Sequence, residues 1–180
     1  MLHSNGNRIA GIVKPHGRTR LDVIDVLPTY LTGVSKTIVL MDQEDQRLKY
    51  IFRGAKKRLA KKGFSVENEI EEDRLKVYDC KFGGRDVRLI LVINGLDEIQ
   101  TNKHTIEDHL LKAAKTFGIE IDFDFENSKD AWKRLKNHEE IFKKLKERNV
   151  KDIFPSSLES ASIWRIEQIR INDSRMVFYP

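Results

Sequence analysis

The chain has 180 residues, with 33 Lys plus Arg against 28 Asp plus Glu, a net charge of +5 and 39% hydrophobic residues. These totals exclude a disordered polyelectrolyte, and no apolar run approaches the ~20 residues of a membrane-spanning helix. Met1 to Arg8 is polar, without the apolar stretch of a secretory leader, so a cytoplasmic protein with no membrane partner is expected.

Ile9–Val13 is a short apolar run stopped by Lys14-Pro15 and predicts a first strand. Thr19 then caps a helix with Leu21, Ile24, Leu27, Tyr30 and Leu31 on one face, kinked or shortened by Pro28 and stopped by Gly33. Thr37–Met41 is continuous and β-branched, the pattern of a strand covered on both faces. Leu48, Ile51, Phe52, Ala55 and Leu59 recur at helical spacing up to Gly63. Glu67–Asp73 reads as an acidic turn. Leu75, Val77 and Asp79 alternate in a strand that Gly83-Gly84 folds back into Val87–Ile93.

A loop over Asn94–His104 leads into a helix with Ile106, Leu110, Leu111 and Ala114, closed by Gly118. Ile119–Phe123 alternates as a short edge strand. Asn127 or Ser128 caps one helix carrying Trp132, Leu135, Ile141, Phe142 and Leu145, and a last helix from Ser156 holds Leu158, Ala161 and Trp164. Both tryptophans have apolar neighbours at helical spacing and read as core. The element order predicts one α/β domain over 1–180. Its sheet has parallel central strands with helices on both faces (core about 8–120), and a C-terminal helical extension spans about 127–175. The single cysteine, Cys80, excludes an intramolecular disulfide and a zinc site of paired thiolates, and reads as a small buried residue. The abundance of Lys, Glu, Arg and Ile resembles a thermophile's composition.

Two acidic clusters follow the two most apolar strands. Asp42 and Glu44 stand two residues apart at a strand end, where both can reach one Mg²⁺. Equally, Asp42 can cap the helix that follows, with Glu44 and Asp45 favouring its dipole. Glu107-Asp108 occupies the first turn of the later helix, where acids are favoured in any case. Parallel, neighbouring strands would bring both clusters to one sheet edge, with mutual repulsion perturbing their titration. His109 reads as a satisfied histidine rather than a ligand. The helix after Asp42 carries Arg47, Lys49, Arg53, Lys56, Lys57, Arg58, Lys61 and Lys62 with no acid between Gln46 and Lys62. Such a face either holds phosphates or is a solvated surface offset by Glu67–Asp73. Arg47, Arg53, Lys56 and Lys57 are the expected nucleic-acid contacts.

The run Thr37–Glu44 resembles the Asp-x-Asp motif of Toprim domains, with Glu in place of the second Asp. Arg88–Ile93 followed by Thr105–Leu111 is similar to an archaeal Toprim-like branch related to the overcoming-lysogenisation-defect nucleases. The resemblance covers roughly 8–120 and implies Mg²⁺ or Mn²⁺ held by Asp42, Glu44, Glu107 and Asp108, with nuclease action on phosphodiesters. Toprim enzymes also carry a Glu after the first strand. Here the turn Lys14–Thr19 has no carboxylate and His16 stands in that place, a residue able to move a proton near neutral pH. The other expectation is therefore a non-catalytic module that binds nucleic acid or protein on a degenerate Toprim scaffold.

Overall fold

Thr37–Met41, the most apolar run of the first half, forms the heart of a strand, β3 (Lys36–Asp42), in the computed structural model. The structure describes residues 2–4, 8–10, 20–121, 123–147 and 150–156. The expected proton carrier His16, the end of the first predicted strand (11–13), and Leu158, Ala161 and Trp164 lie outside the described residues.

The chain begins with β1 (Leu2–Ser4) and β2 (Arg8–Ala10), which form a separate two-stranded antiparallel ladder. The predicted first helix is a 3₁₀ helix over Arg20–Val26 followed by one α-turn, α1 (Leu27–Tyr30). Pro28 explains the division, because it fits only the first turn of an α-helix. After β3 come α2 (Leu48–Lys61), β4 (Ser65–Glu72), β5 (Leu75–Phe82), β6 (Arg85–Asn94), α3 (Ile106–Thr116), α4 (Ser128–Arg134) and α5 (His138–Glu147).

Strands β3, β6, β5 and β4, in that order, make a four-stranded mixed sheet, so the fold is α/β. Parallel pairing among the described residues is confined to β3 and β6, in register from Lys36 opposite Arg88 to Asp42 opposite Asn94. The β6–β5 and β5–β4 pairs are antiparallel. Gly83 and Gly84 both have positive φ and close the two-residue turn joining β5 to β6, as their sequence predicts.

Two expectations about strands are corrected. Of the expected acidic turn Glu67–Asp73, only Asp73 lies in a turn, and Glu67–Glu72 forms most of the edge strand β4. A bulge at Glu67 breaks its alternation, so Val66 and Glu69 share a face and the period-2 signal is lost. Glu69 is held there by Lys56 and Lys76, and its carboxyl lies below the ordinary range because Lys56 hydrogen-bonds it. Such a charged edge discourages pairing with a second sheet. Ile119–Ile121, expected as a strand, instead packs with Phe123 and Phe125 against the helices α3 to α5.

The main core lies between one sheet face and α2. Ile51, Phe52, Ala55 and Leu59 meet Val39, Met41, Tyr78, Leu89, Leu91 and Ile93, with Ile24, Leu27 and Leu31 closing the side. Burying each of these larger side chains contributes roughly 1.5–3 kcal/mol. Tyr78, fully buried, donates its hydroxyl to the Phe52 carbonyl at 2.8 Å, which fixes α2 along the sheet. A second cluster joins α3, α4 and α5 through Leu111, Ala114, Ala131, Leu135 and Ile141. The single C-terminal helix expected from Trp132 to Leu145 is broken at Leu135. The His138 ring stacks on Trp132 and hydrogen-bonds its carbonyl at 2.7 Å, replacing the helical continuation. The cap at Asn127 forms as expected, accepting from Lys129 N at 2.9 Å. No helix among the described residues is long and apolar enough to cross a membrane.

Candidate functional site

The parallel pairing of β3 and β6 sets Asp42 beside Asn94 at the same sheet end. Asp42 does not cap α2, whose N-cap is Arg47 with no side-chain bond. Instead its Oδ1 accepts from Asn94 Nδ2 at 3.2 Å and from the Ile106 amide at 3.0 Å, capping α3 from 64 residues away. Thr105, the N-cap of α3 by position, makes no cap bond, and its buried hydroxyl has no hydrogen-bond partner. Burial pushes the Asp42 carboxyl above the ordinary aspartate range. The Asn94 and Ile106 hydrogen bonds pull it down, while repulsion from Glu107 and Glu44 pushes it further up. Two of the other expected metal ligands thus act on Asp42.

Glu44 adopts a left-handed backbone (φ 59°). Its N–H donates to the His104 carbonyl at 2.7 Å and its carbonyl accepts from His104 N at 2.9 Å, so the loop after β3 is paired with the loop after β6. Asp108, the fourth expected ligand, is fully buried and committed elsewhere. Its Oδ1 accepts from Ser128 Oγ, and its Oδ2 accepts from Leu96 N at 3.0 Å and His104 Nδ1 at 2.9 Å. It ties α3 to the loop after β6 and to the start of α4. Among the described residues no three His, Cys, Asp or Glu side chains converge to hold one metal ion.

His109 is also structural. Its Nε2 accepts from Gly95 N at 3.2 Å, its Nδ1–H donates to the Ile153 carbonyl at 2.5 Å, and its ring stacks on Phe154. Burial lowers its pKa, so the neutral ring persists and pins residues 150–156 to α3.

One residue at this edge has no sequence signal. Arg74, in the turn between β4 and β5, is buried and donates to Gln43 Oε1 at 2.6 Å and to Asp97. Arginine beside an acidic run reads as a surface ion pair, yet this guanidinium locks three loops together. Gly95 makes room for it: at φ 129° a Cβ there would lie 2.5 Å from His104 Cβ and 3.1 Å from Arg74 Nη1. Two open hollows of about 290 and 360 Å³ lie between residues 98–102 and 123–126, and neither Asp42, Glu44 nor Glu107 lines them.

The basic helix α2 is divided by its neighbours. Arg58 pairs with Asp22 (2.9 Å) and Asp25 (2.6 Å) of the 3₁₀ helix, and Lys62 approaches Asp25 at 3.9 Å. On the other flank Lys56, one of the expected nucleic-acid contacts, is taken by Glu69. Between them Lys49, Arg53, Lys57 and Lys61 are exposed and have no carboxylate partner among the described residues. Their spacing of four follows one ridge of the helix, each step about 6 Å. Arg47, also exposed and without such a partner, stands at its head. No protein-family model matches the chain, and neither does any curated protein or solved structure.

Proposed function

We propose that this protein is a nucleic-acid-binding α/β module that holds phosphates along α2. The observation that carries the reading is the partition of the helix's cations. Arg58, Lys62 and Lys56 neutralise their neighbours, whereas Lys49, Arg53, Lys57 and Lys61 form a continuous ridge with no carboxylate partner among the described residues. Four like charges in a row repel one another and are relieved when phosphates displace their counterions. Of the residues expected from sequence, Arg47, Arg53 and Lys57 stay in this role and Lys56 leaves it. Fluorescence anisotropy with labelled oligonucleotides across a salt series tests the reading. Neutralising four phosphates gives a slope of log affinity against log salt of about −3. Binding that ignores salt, or no binding at low salt, contradicts it.

A second reading follows from the repulsion that Glu107 and Glu44 exert on Asp42. A Mg²⁺ shell needs only one or two carboxylates, with water and phosphate oxygens completing it. Asp42, helped by Glu44 or Glu107, would hold the ion at the sheet end, and the chain would then be a Toprim-like, metal-dependent phosphodiester enzyme. Asp108 takes no part, because its oxygens already have partners. Calorimetric titration of the native protein and Asp42→Asn with MgCl₂ and MnCl₂ decides this. The reading requires binding in the native protein and its loss in the variant.

A further inference from the structure

We infer that the α2 ridge takes a single nucleic-acid strand rather than a duplex, with Tyr50 as the platform on which one base stacks. The inference rests on the phosphate-binding reading of α2 and adds to it the class of nucleic acid. Tyr50 is 47% exposed in the first turn of α2, beside the head of the ridge. The Arg53 guanidinium lies 5.1 Å and the Lys49 ammonium 5.9 Å from its ring centroid. These cations orient the ring while leaving much of it open to solvent. An exposed aromatic ring among unneutralised cations is the combination that single strands use: phosphates along the basic track and a base on the ring.

The surroundings of the ridge argue against a duplex. Carboxylates border the ridge on both sides: Asp22 and Asp25 beside Arg58, and Glu69 and Glu71 across Lys56 and Lys76. The two backbones that wall a groove would meet those acids. A single backbone following Lys49, Arg53, Lys57 and Lys61 stays between them, and steps of about 6 Å are short enough for consecutive nucleotides. In a duplex the bases are already stacked on one another, so Tyr50 would find no π-face.

The test is anisotropy with one labelled oligonucleotide of about 12 nucleotides, alone and annealed to its complement, on the native protein, Tyr50→Ala and Tyr50→Phe. The native protein is expected to bind the single strand more tightly than the duplex. Tyr50→Ala should weaken single-strand binding about 5- to 100-fold and leave duplex binding unchanged, and Tyr50→Phe should keep nearly full affinity. Equal affinity for the two forms, or a Tyr50→Ala variant that binds the single strand as the native protein does, overturns the inference while leaving the phosphate ridge intact. If neither form binds the native protein at low salt, the ridge reading falls and this inference with it.

Discussion

Asp108 distinguishes most sharply between a structural carboxylate and a metal ligand. Its substitution by alanine removes the acceptor for Leu96 N–H, Ser128 O–H and the His104 ring at once. Each buried group left unpaired costs about 1–3 kcal/mol, and the first two are buried, so a loss of about 3–5 kcal/mol is expected. Asp108→Asn should be far milder. Its oxygen can keep Leu96 N–H and His104 while its amide donates to Ser128, whose hydroxyl rotates to accept, leaving about 1 kcal/mol for the lost charge. Urea unfolding followed by circular dichroism measures both. With a slope of about 2 kcal/mol per molar, the alanine variant's midpoint falls by about 2 M. Trp132 lies one turn beyond Ser128 on α4, so its fluorescence should change earliest as α4 undocks. An Asp108→Ala protein as stable as the native one refutes the reasoning. So does an Asp108→Asn protein that keeps its stability but loses a Mg²⁺ site present in the native chain.

Three further outcomes follow from the buried polar groups. The Asp42 carboxyl sits above its ordinary 3.8, so its contribution is full below that value and is lost as pH rises through the raised one. Asp42→Asn should therefore melt higher than the native protein at pH 7, with the difference closing in acid; a lower melting point at pH 7 contradicts this. His109 is displaced in the opposite sense, below 6.5, so the neutral ring's contribution is present above that value and lost as pH falls. Stability should decline below pH 6.5 by up to about 1.4 kcal/mol per pH unit, and His109→Gln should flatten that decline. Cys80 is buried with its thiol pushed up to about 11 by burial. A thiol reagent at pH 8 should leave it unmodified until denaturant is added, and rapid native labelling would contradict its placement.

The sequence was most legible where one physical signal dominated. The β-branched run of β3, the apolar spacing of α2 and the Gly83-Gly84 turn are local signals, and each element falls at its expected place in the chain. The expected covering of β3 on both faces is not met: it is an edge strand of the sheet, and Leu40 on its outer face is 60% exposed. That Glu44 and Glu107 both act on Asp42 was legible, because the parallel pair β3–β6 brings its C-terminal ends together, but the expected convergence on one ion is not found among the described residues. What stayed hidden depends on tertiary context. The bulge at Glu67 erased the alternation of β4, and ion pairs with Lys56 and Lys76 let an acidic segment form a strand. Asp42 caps α3 rather than α2, a partnership across 64 residues that no local rule anticipates. Asp108 looked the same as Glu107 in sequence, yet one turns into a buried network and the other stays partly exposed. Lys56 and Lys57 are chain neighbours, and only the position of Glu69 separates them.

The central claim is that the unpaired ridge of α2 holds nucleic-acid phosphates, and charge reversal within it is the direct measurement. Arg53→Glu with Lys57→Glu changes two exposed side chains that have no carboxylate partner among the described residues, so circular dichroism should show the fold unchanged. Anisotropy at low salt should show single-strand binding by the native protein and at least a tenfold loss in the double variant. The control Lys56→Gln, which removes a cation already neutralised by Glu69 and leaves Glu69 paired with Lys76, should bind nearly as the native protein does. Undiminished binding by the Arg53, Lys57 variant would contradict the account.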